Sequence, residues 1–330
     1  MMIEQALKQL DPVPDLLAGH DAARATADLE HILALPREAV PSRSKPRHAH
    51  GRRLAVIGIA SCIALALVVG LPLLPWRAAQ PAVAATPPLL SGQLAPGVTG
   101  PAVADELGRI AAEAVRSDLP GRLGGSHAAW DLATRVHGGE PVRSAVVPLE
   151  VSLEVRADGS WRRLASYGQP VAGDLDATDL PAHGEVESDE VYPADLAPRI
   201  FPERLAEDES GLREQLAQAH PIDQLGTAEL FVALTDLAKE QTPTPAARAA
   251  LLGLLAEPDD VRALGAMTDR DGRPGRAFAV DSELSGLPTR YVLIVDPLTG
   301  RVLASEQILT ERAGKLAVEV PAVVSYAVFR

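Results

Sequence analysis

The sequence predicts an α+β fold: a curved antiparallel sheet with helices packed on one face, preceded by one transmembrane helix and a cytoplasmic tail. Three observations carry this reading. Runs such as PLEVSLEVRADGSW alternate apolar and polar residues with period two, the mark of strands with one wet and one dry face. Helical periodicity occupies other stretches, at 103–116 and within 205–256. The run LAVIGIASCIALALVVGLPLL, residues 54–74, continues for about 21 residues without a charge, long enough to cross roughly 30 Å of hydrocarbon as a helix.

The chain has 330 residues, of which 47% are hydrophobic, enough for a sizeable core in roughly one to three domains. Its net charge of -13 is unevenly shared: up to Arg77 there are nine Lys/Arg against seven Asp/Glu, and beyond it 22 against 37. A surface that acidic repels phosphate backbones, so nucleic acid is not an expected partner of the C-terminal part. The single cysteine, Cys62, lies in the apolar run, which excludes an intramolecular disulfide and a cysteine-rich zinc site.

Residues 1–53 read as a cytoplasmic tail. Leu29, Ile32, Leu33 and Leu35 fall near helical spacing, with Asp28 and Glu30 near the start. SRSKPRHAHGRR is drawn to anionic lipid heads, and His20, His31, His48 and His50 read as solvated. Residues 54–76 form the expected membrane helix. Arg43, Lys45, Arg47, Arg52 and Arg53 precede it, whereas Arg77 is the only basic residue between it and Arg109. That asymmetry puts the N-terminus in the cytoplasm and the C-terminal domain outside, in a single pass through the cell membrane, with Trp76 and Arg77 at the outer interface. Two processing signals compete with a plain anchor. Ile59-Ala60-Ser61-Cys62 fits a lipobox that would lipidate Cys62, although the residues after it stay apolar instead of turning polar. Ala82-Val83-Ala84 resembles a signal-peptidase site, behind an apolar run too long for an ordinary leader.

Residues 77–101, rich in Pro and Ala, read as an extended stalk, and 102–330 as the extracytoplasmic α+β domain. A helix is expected from Val103 to Arg116, with Leu107, Ile110, Ala111, Ala114 and Val115 on one face. Then the period changes. Trp130, Leu132, Thr134 and Val136 alternate with Asp131, Ala133, Arg135 and His137; Leu149, Val151, Leu153 and Val155 alternate with Glu150, Ser152, Glu154 and Arg156. Trp130, Leu149, Val151 and Leu153 are the candidate lining of a concave site for an apolar ligand. Asp158-Gly159 signals a hairpin, and Trp161 to Tyr167 returns as the next strand. Residues 168–202 read as a long surface connection, with HGEVESDEVY a solvated loop. Helices follow at Leu205–Ala219, Thr227–Lys239 and Pro245–Ala256, the last capped by Thr244 before a first-turn proline. Strands are expected near Arg262–Thr268, Arg276–Asp281, Arg290–Val295, Arg301–Ile308 and Ala322–Phe329.

The reactive-looking clusters have plainer readings. Asp296-Pro297-Leu298-Thr299-Gly300 lies between two apolar alternations; proline presets one dihedral, glycine tolerates positive φ, and Asp296 and Thr299 can cap local amides, so it is a hairpin loop. TDRDGRPGRA places Asp269 and Asp271 beside Gly272 without the distal glutamate of a calcium loop, and Arg273 and Arg276 repel a cation. His127, Asp131, His137 and Glu140 do not converge on an extended strand, whose two histidines stand roughly 33 Å apart. No GxSxG elbow, P-loop, HExxH or dinucleotide fingerprint occurs. The residues therefore point to a protein that is not an enzyme, with no cofactor or metal.

The block ELFVALTDLAKEQTPTPAARAALLGLLAEPDDVRALGAMTDRDGRPGRAFAV, followed by YVLIVDPLTGRVLASEQIL, resembles a family of actinobacterial single-pass envelope proteins often encoded beside extracytoplasmic-function sigma factors. The pattern comprises Arg248-Ala249-Ala250-Leu251, the turn from Asp269 to Arg273, and the Asp-Pro-x-Thr-Gly turn; Pro258-Asp259-Asp260-Val261 departs from it. The resemblance covers about residues 200–310 and transfers no active site. It implies a non-catalytic envelope sensor or regulator, with a sigma factor or other regulator as partner of the tail and a lipid or envelope protein as partner of the outer domain. The order of helices followed by a meander is also similar to the half-barrel of lipoprotein carriers, which implies the alternative of a carrier or binding module for an apolar ligand. An envelope hydrolase is the third reading.

Overall fold

Tyr291 to Val295 is an unbroken apolar run, which suits a strand covered on both sides. In the computed structural model, which describes residues 83–133, 144–194 and 199–330, this run lies inside a large antiparallel sheet. Across the sheet the strands are β7 (Val186–Tyr192), β5 (Trp161–Tyr167), β4 (Leu149–Val155), β2 (Gly125–Asp131), β13 (Ala322–Phe329), β12 (Val302–Leu309), β11 (Thr289–Val295), β10 (Pro274–Ser282) and β9 (Arg262–Thr268). Two small pairs flank it: β1 (Arg122–Leu123) with β8 (Gln241–Thr242), and β3 (Ala145–Val146) with β6 (Ala172–Gly173). Strands β9 to β13 form a meander. The earlier strands join it along β13, where Tyr326 faces Trp130 and Phe329 faces His127.

Five helices are described: α1 (Pro101–Arg116), α2 (Glu209–Ala219), α3 (Ile222–Leu225), α4 (Thr227–Glu240) and α5 (Pro245–Ala256). Pro101 opens α1 where its missing N–H would be unpaired anyway, and Val103, Leu107, Ile110 and Ala114 make the buried stripe. Val115, expected on that face, is exposed. The Thr244 hydroxyl caps α5 by accepting from the Ala247 amide at 3.2 Å. α5 packs on α1 and α2, and α4 lies over β10 to β13 and β2. Helix side chains such as Phe231, Leu234 and Leu255 meet Phe278, Leu293 and Val295 in one core.

The expectation of one wet and one dry face fails for the central strands. On the side opposite the helices, Ile294, Ile308 and Val323 are also buried, under Leu90, Val146 and Ala172. The cover comes partly from residues expected to be a free stalk. Over 83–100 the chain is instead laid on the domain: Arg290 Nη1 donates to the carbonyls of Gln93 (3.2 Å) and Ala95 (2.7 Å), Gln93 bonds Glu306, and Val98 bridges Ala263. The segment turns at residues 91–94, and Gln93 and the apolar residues among its prolines anchor it.

A second difference is β7. The acidic run expected to be a loop is an edge strand whose Asp189 receives two bonds from Arg162, both 2.7 Å. With five of its seven residues exposed, the strand has no dry face to show as periodicity. α2 starts at Glu209, four residues later than expected, because the Asp208 carboxylate caps the Gly211 amide at 2.9 Å. β2 ends at Asp131; Thr134 to Val136, His137 and Glu140 lie outside the described residues, as do the tail, the expected span and Cys62. Among the described residues no helix is long and apolar enough to cross a membrane.

Candidate functional site

Where α4 and α5 meet the sheet, packing is incomplete. A narrow, partly enclosed cavity of about 40 Å³ remains, lined by Leu234, Leu237 and Leu252 from the helices and Leu293, Val302 and Phe329 from the strands. Three cations, Arg248, Arg301 and Arg330, also line it, as do Gly125 and Gly300. Gly300 has φ 67°, and a Cβ there would stand 2.7 Å from Ala114 and 3.1 Å from Leu252. Only glycine satisfies both that dihedral and that approach, which brings the β11–β12 turn onto the helices.

Arg248 is almost wholly buried from α5, yet it meets only neutral acceptors. Its Nε donates to the Thr299 carbonyl (2.6 Å), Nη1 to Pro243 (2.7 Å), and Nη2 to the Leu119 carbonyl (3.0 Å) and Ser117 Oγ (3.3 Å). One guanidinium thus ties the end of α1, the start of α5 and the Asp296–Gly300 turn. Burial, and then the nearby Arg301, push its pKa below the usual arginine range. Arginine stays charged regardless, so the shift measures the cost of holding the charge there.

Arg301 is half-buried and poorly served. Its guanidinium makes one long bond, Nη2 to the Phe329 carbonyl at 3.3 Å, and no ion pair among the described residues. Its pKa is also lowered, by burial first and then by Arg273. Arg273 itself is occupied, bonding Asp269 at 2.7 Å and the carbonyls of Phe329 and Leu303 at 2.7 and 2.9 Å.

The turn residues singled out in the sequence all lie in hairpin connections. Asp158 and Gly159 close β4–β5, with Gly159 N donating to Arg156 O at 3.0 Å. Asp269 and Gly272 close β9–β10: the Asp269 carboxylate accepts from the amides of Asp271 and Arg273. Asp296, Pro297, Thr299 and Gly300 close β11–β12; Asp296 accepts from the Leu298 amide (2.9 Å) and the Thr299 hydroxyl (2.7 Å). What the sequence did not reveal is that two of these turns are clamped by arginines, the buried Arg248 and the half-buried Arg273.

The four apolar residues expected to share a concave lining do not share one face. Leu149, Val151 and Leu153 oppose Ala129, His127 and Gly125 in β2, on the helix side of the sheet; Trp130 points the other way, stacked near Tyr326. Leu153 sits directly across from the cavity-lining Gly125, and the row continues over Val155 to a Trp161–Tyr192 stack with centroids 4.2 Å apart. Between cavity and row stands His127, buried, its Nδ1 without a hydrogen-bond partner and its pKa lowered to about 4 by burial, then by Lys239 and Arg163.

A second histidine, His220, meets carboxylates on both sides: Nδ1 is 2.8 Å from Glu229, and Nε2 is 3.6 Å from Asp236, beyond hydrogen-bond range. With both ring nitrogens turned to acids on α4, it serves to pin the chain after α2 rather than to activate a nucleophile. Among the described residues no group of three or more His, Cys, Asp or Glu side chains is placed to hold a metal ion.

No family model matches this chain, and neither a curated protein nor a solved structure matches it.

Proposed function

We propose that the chain is a non-catalytic envelope sensor or regulator: a cytoplasmic tail, one membrane helix, and the α+β domain held outside, with a sigma factor or another regulator as partner of the tail. The observation that supports a regulator over a carrier is the size of the apolar cavity. About 40 Å³ holds roughly three waters, far short of what engulfing a lipid needs. A wider depression of about 430 Å³ has Asp281, Glu283, Arg290 and Glu311 in its wall, charges that suit no lipid tail.

The test is topology plus capture. A reporter fused after Arg330 should read extracytoplasmic, and crosslinking of the full-length protein in membranes should recover one partner through the tail and another through the outer domain. A cytosolic reporter, or intact protein in the soluble fraction, overturns the proposal.

One observation favours the carrier as a second reading. Leu149, Leu153, Val155, Trp161, Tyr167 and Tyr192 lie on the helix side of β4, β5 and β7, and all six are only half-buried. An apolar ligand or lipoprotein laid on this face would fit it. Loss of ligand transfer in a Leu153→Asp variant, with the fold intact, would select that reading.

A further inference from the structure

We propose that the cavity between α4, α5 and the sheet is the receptor site of this sensor for a short organic monocarboxylate, its head on Arg301 and its tail among the leucines. The inference rests on the sensor reading and names its ligand class. Three observations meet here. One side of the cavity is aliphatic and aromatic, through Leu234, Leu237, Leu252, Leu293, Val302 and Phe329, and suits a hydrocarbon tail. At the same wall Arg301 has five N–H donors and spends one, on a 3.3 Å bond. Its neighbours Arg273 and Arg248 are already committed to other acceptors; Arg273 disfavours the charge on Arg301, while Asp296 and Asp269 favour it.

A guanidinium fork fits a planar carboxylate by two parallel bonds, and in a partly desolvated site such a pair is far stronger than on an open surface. Asp296 and Asp269 lie near enough to favour the charged form of Arg301, yet neither pairs with its guanidinium directly; a bound carboxylate would. Size sets the rest. Space for roughly three waters admits a tail of about three or four carbons, so butyrate and pentanoate fit and a membrane fatty acid does not. Arg248 positions the turn that carries Arg301, because it holds the Thr299 carbonyl two residues earlier.

The experiment uses the full-length protein in zwitterionic nanodiscs, with acetate, butyrate, hexanoate, palmitate, 1-butanol and inorganic phosphate as probes. Saturation-transfer NMR and the shift in melting temperature are the readouts. Butyrate should bind most tightly, at least about tenfold better than 1-butanol. Arg301→Gln should remove that preference for carboxylate, and Ala238→Leu, which fills the cavity from α4, should remove the gain from acetate to butyrate. Equal binding of alcohol and acid, affinity that climbs through palmitate, phosphate binding as well as butyrate, or an Arg301→Gln variant that behaves as wild type would each overturn the proposal. If Ala238→Leu does not fold, Arg301→Gln decides alone, since that side chain holds one weak bond. Failure of carboxylate binding with an extracytoplasmic reporter intact rejects the ligand and leaves the sensor reading standing.

Discussion

The centre of the sheet and its far wing are built from the same kind of strand to different ends. In β11 all seven residues are buried; in β7, at the other extreme, five of seven are exposed. The centre is sandwiched between helices on one side and the laid-down 83–100 segment with β3 and β6 on the other, whereas β4, β5 and β7 keep a charged face toward water. Stability therefore resides in the centre, and the wing is free to vary its surface chemistry. His127 stands on the border, opposite Phe329 of the centre and Val151 of the wing.

The strongest way to break this contrast is at matched positions. Ile294→Ala in the centre should cost about 2–5 kcal/mol in urea unfolding, while Leu153→Ala, half-buried in the wing, should cost about 1 kcal/mol. Equal losses would show that the wing carries as much of the core as the centre does. Arg248→Met should cost about 2–4 kcal/mol, because four part-buried acceptors in three segments lose their donor together. Lysine at the same position should recover only part of it, having no planar fork.

The border residue gives a pH signature. Native His127 has its pKa lowered from 6.5 to about 4, so between those values the unfolded chain binds more protons and stability falls as pH falls. The loss is complete below about pH 4 and amounts to at most on the order of 3 kcal/mol. His127→Leu should flatten the urea midpoint across that window; an unchanged slope would assign acid sensitivity elsewhere. The smallest effect is expected at Arg162→Gln, whose exposed partner Asp189 lies on the wing, with no measurable change in melting temperature.

The same contrast explains what the sequence disclosed. Alternation in PLEVSLEVRADGSW located β4, the Asp158-Gly159 turn and β5 correctly, because a half-wet strand prints its geometry as a period of two. Thr244 and Pro245 announced the start of α5 for an equally local reason. β7 stayed hidden since its residues answer to neighbours 25 or so positions away, as Arg162 does for Asp189. The docking of residues 83–100 was hidden too: the composition of a stalk and that of a strap are alike, and the partners that distinguish them, Arg290, Glu306 and Ala263, lie far along the chain. At the cavity, Arg248 and the Asp-Pro-x-Thr-Gly turn were visible as separate patterns, but the 2.6 Å bond joining them spans 51 residues. Nothing local marks Arg301 as under-served.

Strand β13 comes after every other strand in the sequence yet lies in the interior of the sheet, between β2 and β12. During ribosomal synthesis the wing and the meander must wait as two unsealed edges until Ala322–Phe329 emerges and zips them together. A chain shortened before Ala322 would not simply lose a ribbon from its rim; it would come apart along the middle.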